Sequence, residues 1–128
     1  MSLLEIKNLS VFFRNEKGTD FQAVKNVNLK LESGKILGIV GESGSGKSVT
    51  ALSVLGLLPY PKAYHNSEAS IIFENQELIG KSNKELQKIR GNQIAFIFQE
   101  PMSSLNPLHK IGRQISESLE MHSLLTTA

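Results

Sequence analysis

Hydrophobic and polar residues alternate through the first quarter of the chain. Within residues 3–13, Leu, Ile, Val and Phe recur at roughly every second position, and residues 21–31 alternate more regularly. Residues 15–20 between these segments are polar and contain a glycine. Period-two alternation is typical of strands with one face in solvent. We therefore predict an antiparallel hairpin, followed by a tight connection at Ser33 and Gly34.

Two later segments are apolar without interruption. They are Ile-Leu-Gly-Ile-Val at residues 36–40 and Ile-Ala-Phe-Ile-Phe at residues 94–98. A short apolar run bounded by turn residues predicts a strand that is buried on both faces, as in a parallel sheet. Residues 69–73 predict a further strand, with its turn near Asn75 and Gln76. The expected fold class is α/β.

Three segments have helical periodicity. Residues 49–58 place Leu52, Leu55 and Leu58 on one side, and Pro59 and Pro61 are expected to end that helix.

The other two helices follow later in the chain. Ser82 and Glu85 form a capping-box pattern for a helix that continues to about Arg90 and ends at Gly91. The last helix is predicted to be amphipathic, because apolar residues recur there at three- and four-residue steps. These residues are Leu108, Ile111, Ile115 and Leu119.

A glycine-rich loop lies between the first apolar run and the first predicted helix. Its residues are Gly41, Glu42, Ser43, Gly44, Ser45, Gly46, Lys47 and Ser48, which match the pattern of a phosphate-binding loop, or P-loop (Walker A). The glycines let successive backbone N–H groups point inward, and the N-terminus of the following helix favours an anion. A glycine-serine turn could match by chance, but the strand–loop–helix context favours nucleotide binding.

The P-loop residues have distinct expected roles. Lys47 can reach the β- and γ-phosphates, and the Ser48 hydroxyl can bind Mg²⁺. The N–H groups of Val49 and Thr50 can meet the α-phosphate. The loop alone does not distinguish a small-molecule kinase, a GTPase and a mechanical ATPase, because all three use this phosphate cradle.

Gln99 follows the second apolar run. The carboxyl ends of parallel strands line one crevice, so Gln99 and the P-loop are predicted to share a site. An amide oxygen can bind Mg²⁺, and the amide can orient a water. The alternative is a polar residue that simply ends a strand.

Composition narrows the classes further. The chain has 128 residues, 40% of them apolar, with net charge +2 and no cysteine. This length suits one domain. The mild positive charge argues against a nucleic-acid partner. Without cysteine, neither a disulfide nor a cysteine-bound metal site can form within these residues. We see neither a signal peptide nor a membrane span.

His65, His109 and His122 lack metal-ligand spacing and are expected to lie at the surface or to face a partner. Glu42 and Glu100 are not expected to form a catalytic carboxylate pair.

The P-loop together with Ile-Phe-Gln-Glu-Pro-Met-Ser-Ser-Leu-Asn-Pro at residues 97–107 resembles the ATP-binding subunits of ABC transporters. More narrowly, it resembles those of dipeptide, oligopeptide and nickel importers. The resemblance implies an amino-terminal antiparallel β subdomain, a P-loop NTPase core with a partial parallel sheet, and the start of a helical subdomain. The corresponding ranges are an antiparallel hairpin at 1–34, the P-loop strand and helix at 35–59, a hairpin, helix and Q-loop strand at 60–100, and the helical start at 101–128.

The resemblance also implies roles for individual residues. Gln99 would contact Mg²⁺ and the hydrolytic water, and the segment after it, which includes Met102, would face the membrane subunits. Phe13 occupies the position from which an aromatic residue stacks on adenine. The family usually has Tyr there, and Phe keeps the stacking face without the hydroxyl. Phe12 is the competing position, and both phenylalanines could instead belong to the core.

The implied function is Mg²⁺-dependent binding of ATP, with hydrolysis in the complete subunit, to drive import of peptides or a related solute. Expected partners are transmembrane permease subunits, a second ATPase subunit in a homo- or heterodimer and, indirectly, a solute-binding protein. The expected location is the cytoplasmic face of the inner membrane, as a peripheral protein. The alternatives are a P-loop kinase of a small metabolite and an ABC-type ATPase of DNA maintenance.

These residues contain no Leu-Ser-Gly-Gly-Gln motif and no apolar strand that ends in an aspartate-glutamate pair. We therefore expect an amino-terminal part of a longer ATPase, soluble as a fragment, that binds nucleotide without hydrolysing it. Both apolar runs are predicted to be strands buried on two faces, and in the family at least one strand that these residues do not contain lies between them. We therefore also expect exposed apolar surface.

Overall fold

The computed structural model describes residues 1–100 and 105–122. The chain divides into two units, Met1–Lys81 and Ser82–Ala128. The first unit contains the strands β1 (Ser2–Phe13), β2 (Phe21–Glu32), β3 (Ala63–His65), β4 (Ser70–Phe73) and β5 (Gln76–Glu77), and the helix α1 (Lys47–Val54). The second contains α2 (Asn83–Ile89) and α3 (Ile111–His122).

The predicted hairpin of β1 and β2 is confirmed and is part of a five-stranded antiparallel sheet. Its order is β2-β1-β4-β5, and β3 pairs with the last three residues of β1. Asn8 and Asn26 have positive φ values of 51° and 45° at irregularities of the hairpin. Asparagine tolerates this conformation because its side chain can bond locally. The two irregularities are held by bonds from Asn8 N to Asn28 Oδ1 and from Asn26 N to Ser10 Oγ, both 2.9 Å.

The core of the first unit is built from apolar side chains of the sheet and of α1. The most deeply buried large side chains belong to strands β1 and β4, and α1 contacts β2. The buried apolar residues of this unit include Ile6, Leu9, Val11, Val24, Val54, Leu55, Leu58, Ala63, Ile71, Phe73 and Leu78. Helix α1 thus contributes to the core and contacts the sheet at β2, close to the loop that begins this helix.

The predicted parallel strands at residues 36–40 and 94–98 do not form. Residues 36–40 are irregular, and Ile36 and Val40 are 100% and 95% exposed. Within 94–98 the only pairing is an isolated parallel bridge between Ile94 and Arg90. A strand needs a neighbour for its N–H and C=O groups, and in residues 1–100 and 105–122 no strand lies beside either run. The expected exposure of apolar surface is confirmed.

The helix after the P-loop is shorter and begins earlier than predicted. It spans Lys47–Val54 instead of 49–58, and Leu55 is its C-cap. Gly56 has a φ of 62°, which turns the chain out of the helix before either proline is reached. Leu55 and Leu58 are nevertheless buried, as the apolar spacing predicted.

The local signals in the rest of the chain are confirmed, with one shifted turn. The β4–β5 turn is at Glu74 and Asn75, one residue earlier than expected, and both have positive φ. The capping box of α2 is present: Ser82 N donates to Glu85 Oε2 at 2.8 Å, and Glu85 N donates to Ser82 Oγ at 3.3 Å. Gly91, with a φ of 75°, follows the C-cap.

The amphipathic helix α3 is present, but its apolar side is uncovered. Ile111, Ile115 and Leu119 are each more than half exposed, and no residue of α3 is buried. Among the described residues, no helix is long and apolar enough to cross a membrane.

Candidate functional site

The P-loop (residues 41–48) folds back on itself before α1. Gly44 and Gly46 have φ values of 81° and 97°, a conformation that side chains rarely adopt. Ser45 N donates to Glu42 O at 3.1 Å and closes a turn within the loop. This local geometry follows from the glycine spacing and forms without the predicted strand at residues 36–40.

The Lys47 side chain lies over the loop. Its Nζ donates to Gly41 O at 2.6 Å, to Glu42 O at 2.8 Å and to Ser45 Oγ at 3.2 Å. In the part of the chain that the structure describes, these partners are neutral oxygens and not carboxylates. The ammonium is therefore held at the loop with no carboxylate among the described residues bonded to it, which leaves its charge available for an anionic ligand.

The N-terminus of α1 adds a second feature that favours an anion. Its N-cap is Gly46, no side chain of the described residues caps it, and its first turn has no acidic residue. The first N–H groups of a helix lack intrahelical partners and carry partial positive charge. Thr50 is the exception, since its N–H and Oγ1 both donate to Gly46 O, at 2.9 and 2.8 Å. Its N–H is thus used within the helix. Ser48, by contrast, is exposed.

Two P-loop glycines lie close to neighbouring atoms. A Cβ at Gly41 would lie 2.6 Å from Ser45 Oγ and 3.7 Å from Lys47 Nζ. A Cβ at Gly46 would lie 2.7 Å from Ala23 O and 3.2 Å from Val24 Cγ2. The close approach of the loop to β2 therefore requires glycine at Gly46, whereas a side chain at Gly41 would require the Ser45 hydroxyl to move aside.

The contact between Gly46 and Val24 shows which face of the sheet carries the P-loop. Val24 lies opposite Val11 in the β1–β2 pairing, so their side chains share a face. Successive side chains of a strand alternate between faces, so Phe13 lies on the same face as Val11. Phe13 is half-buried and is the last residue of β1. It thus occupies the face of the sheet on which the phosphate-binding loop packs.

Phe12 is on the opposite face and already has an aromatic partner. Its ring stacks on Tyr64 with centroids 5.2 Å apart and an interplanar angle of 15°. This packing accounts for Phe12 as a structural residue. It leaves Phe13 as the better candidate for stacking on a base.

A cluster that the sequence did not reveal lies beside this pair. Tyr64 donates from its hydroxyl to Asp20 Oδ2 at 2.6 Å, and the Arg14 guanidinium lies 4.6 Å from the centre of the Tyr64 ring. We call Arg14, Asp20 and Tyr64 the Tyr64 cluster. The bond from Tyr64 lowers the pKa of the Asp20 carboxyl, and the same bond raises the pKa of Tyr64. No motif joins these positions, because Tyr64 meets the other two only through the pairing of β3 with β1.

Gln99 lies in the second unit, at an exposed bend. The P-loop belongs to the first unit. The shared site predicted for the two stays a prediction. Residues 101–104, which include Met102 of the predicted partner-facing segment, lie outside the described residues.

The expectation that the three histidines lie at the surface or face a partner stays a prediction for His65 and His122, which are both only partly exposed. His65 is half-buried, and its Nε2 is 3.0 Å from the Tyr60 hydroxyl. Burial lowers the pKa of His65 below its usual value of 6.5, because the charged ring is harder to desolvate. His109 is exposed as expected. Among residues 1–100 and 105–122, no group of three or more His, Cys, Asp or Glu could hold a metal ion.

The lowered pKa of His65 predicts a pH-dependent stability. Below about pH 6.5 the unfolded chain binds a proton at His65 that the folded chain resists. We expect the melting temperature to fall as pH decreases from about 7.5 to about 5.5. The fall should be smaller in His65→Gln and unchanged in His109→Gln, as measured by circular dichroism. An equal fall in all three proteins would contradict the assignment.

Comparison with known proteins gives the family. A sequence profile described as ABC transporter matches residues 24–128. The chain is 50% identical over 126 residues to the peptidoglycan transport ATP-binding protein YejF of Agrobacterium fabrum, covering 98% of this chain and 23% of that protein. It is 46% identical over 124 residues to the oligopeptide transport ATP-binding protein OppD of Bacillus subtilis, covering 97% and 34%. It is 45% identical over 122 residues to the dipeptide transport ATP-binding protein DppD of Haemophilus influenzae, covering 95% and 36%.

The chain therefore spans roughly a quarter to a third of the length of these relatives. The resemblance to ATP-binding subunits of peptide transporters is confirmed over nearly all of the chain. The matched region includes the whole P-loop, its Lys47 and the helix that follows. With a family profile over most of its residues and the loop geometry described above, the chain belongs to the ABC transporter family, whose ATPase domain is a P-loop NTPase that binds ATP.

Proposed function

We propose that the chain is the ATP-binding part of an ABC importer subunit that drives uptake of peptides or a related solute. The observation that carries this proposal is the P-loop, in which the Lys47 ammonium bonds to the backbone oxygens of Gly41 and Glu42. Support for the solute class comes from relatives named for peptidoglycan, oligopeptide and dipeptide transport.

The residues of the loop fit a magnesium nucleotide. Lys47 and the N–H groups at the start of α1 would hold the phosphates, with contributions from the backbone of Gly41, Glu42, Ser43, Gly44, Ser45, Gly46, Ser48 and Val49. The exposed hydroxyl of Ser48 is the candidate ligand for Mg²⁺, which when bound neutralises charge on the phosphates. Thr50 supports the cradle through its two bonds to Gly46 O. From the sequence resemblance alone, Gln99 is proposed to bind Mg²⁺ and to contact the attacking water.

The partners are proposed from the same family. The segment after Gln99 would contact transmembrane permease subunits, and a second ATPase subunit would complete a dimer, with a solute-binding protein involved indirectly. The protein would then lie peripherally on the cytoplasmic face of the membrane. Because these residues contain no Leu-Ser-Gly-Gly-Gln motif, we propose that the 128-residue chain binds nucleotide but does not hydrolyse it.

A tryptophan reporter tests where the base binds. The chain contains no tryptophan, so Phe13→Trp would introduce a single indole at the end of β1. Stacking on adenine should quench its fluorescence when Mg²⁺·ATP is added. Inorganic triphosphate, which fills only the phosphate cradle, should quench it little. The measurement is a fluorescence titration with each ligand.

Phe12→Trp is the matched control. Its indole would face Tyr64 on the opposite side of the sheet, so ATP should leave its emission nearly unchanged. Quenching of the residue-12 reporter alone would assign the base to Phe12. If neither reporter responds while calorimetry shows ATP binding, the base does not stack at this strand end.

A further inference from the structure

The Tyr64 cluster lies on the face of the sheet opposite to Phe13, the proposed base-stacking residue. We propose that Tyr64, Asp20 and Arg14 are positioning residues that hold the end of β1, so that Phe13 is presented to the nucleotide base. This inference rests on the proposed function. The inference goes beyond the proposed function because it separates the residue that touches the base from the residues that hold the backbone of β1 in place.

The end of β1 is a place where positioning is needed. Phe13 is the last residue of the strand, and the chain then enters the loop of residues 14–20. Strand ends open easily because few buried contacts hold them. An aromatic ring that moves with such an end loses conformational entropy on binding, which weakens the complex. Phe13 has Phe21 on one side and Ala63 on the other as cross-strand neighbours.

The loop after Phe13 is closed by Asp20. Its Oδ1 accepts from Asn15 N at 3.0 Å, and its Oδ2 accepts from the Tyr64 hydroxyl at 2.6 Å. One carboxylate thus joins the start of the loop, the end of the loop and strand β3. Its lowered pKa means that Asp20 stays ionised at neutral pH, and the raised pKa of Tyr64 means that the hydroxyl keeps its proton.

Arg14 ties the same point to the segment before β3. Its backbone N–H donates to Lys62 O at 2.8 Å, and its Nε donates to Pro61 O at 3.1 Å. The guanidinium then lies against the Tyr64 ring at a distance suited to a cation–π contact. The residue directly after Phe13 is therefore held by backbone, side-chain and ring contacts at once.

The ring of Tyr64 completes the arrangement by stacking on Phe12. Phe12 and Phe13 are adjacent and face opposite sides of the sheet. Contacts that hold Phe12 on one face of the sheet therefore also hold the backbone of Phe13, whose side chain is on the other face. The cluster should therefore contribute to the base-dependent part of nucleotide affinity and leave the phosphate-dependent part unchanged.

The test compares the affinities of ATP and inorganic triphosphate by calorimetry, both with Mg²⁺. In Tyr64→Phe the ring stays on Phe12 and under Arg14, and only the bond to Asp20 is lost. We expect ATP to bind about 3- to 10-fold more weakly, with triphosphate affinity unchanged. Tyr60→Phe removes a hydroxyl elsewhere in the same unit, and we expect it to leave both affinities unchanged.

Two Asp20 variants provide a conservative rescue. In Asp20→Asn the amide oxygen can still accept from Asn15 N, and the amide nitrogen can donate to the Tyr64 hydroxyl oxygen. Both links are then kept without the negative charge, and ATP affinity should lie near that of the native chain. Asp20→Ala removes both acceptors and should weaken ATP at least as much as Tyr64→Phe. Equal losses in the two Asp20 variants would mean that charge, and not positioning, is responsible.

The outcomes separate this inference from the proposed function. If Phe13→Ala weakens ATP but Tyr64→Phe does not, the cluster has no positioning role and the base site stands. If Tyr64→Phe weakens ATP and triphosphate equally, the cluster supports the fold as a whole and the inference is wrong. If Phe13→Ala leaves the ratio of the two affinities unchanged, the base does not bind at Phe13, and the base site and the inference both fail.

Discussion

Lys47→Ala is expected to abolish measurable binding of Mg²⁺·ATP. Lys47 supplies the single ammonium group of the P-loop, and in the described residues it is held only by neutral oxygens of Gly41, Glu42 and Ser45. Its bonds to phosphate would each be charge-assisted on both sides. Losing them should cost about 3 kcal/mol, or about 100-fold in affinity. Isothermal titration with ATP and Mg²⁺ measures this loss.

Lys35→Ala is the control with the same change of charge. Lys35 is exposed and precedes the apolar run at residues 36–40, and its side chain has no bond to the loop. We expect this variant to bind ATP as the native chain does. Unchanged affinity in Lys47→Ala would refute the P-loop assignment. A matching far-ultraviolet circular dichroism spectrum would show that the loss does not arise from unfolding.

Gly46→Ala is expected to destabilise the first unit and to weaken nucleotide binding as well. The added Cβ would lie 2.7 Å from Ala23 O, a backbone atom of β2 that cannot move aside cheaply, and the φ of 97° is already unfavourable for alanine. The conformational part should cost about 1 kcal/mol and the steric part about 1–3 kcal/mol. Chemical denaturation should show a lower midpoint.

Gly34→Ala separates these two costs. Gly34 also has a positive φ, 74°, but no atom lies within 4 Å of the Cβ position. In this variant the free energy of unfolding should fall only by the conformational part, about 1 kcal/mol, and ATP binding should be unchanged. If the two variants lose equal stability, the close approach of the P-loop to β2 is not as the structure has it.

Local sequence signals were sufficient for much of this molecule. The glycine spacing of the P-loop, the capping box at Ser82 and Glu85, and the alternation of β1 and β2 were all predicted and all formed. In each case the deciding interactions lie within a few residues or within one hairpin. A pattern that carries its own partners can be recognised without knowledge of the fold.

Signals that depend on a distant partner were less reliable. Residues 36–40 and 94–98 have the composition of buried strands, yet their side chains are largely exposed here. Composition states what a segment can bury, but pairing requires a neighbour that another part of a protein must supply. The apolar side of α3 is a second example. Its periodicity predicted the helix, but it does not say what would cover Ile111 and Ile115, which are exposed.

The nucleotide site divides in the same way. The sequence by itself determined the phosphate cradle, because the motif brings its own glycines, lysine and helix within one short stretch. Only the tertiary structure separated Phe12 from Phe13, because it places Phe12 against Tyr64, a residue far away in the chain, and places Phe13 on the face where Gly46 approaches Val24. That placement favours Phe13 as the candidate for base stacking. The tertiary structure also revealed Asp20 and Arg14, since hydrogen bonds between strands join residues that no sequence spacing relates.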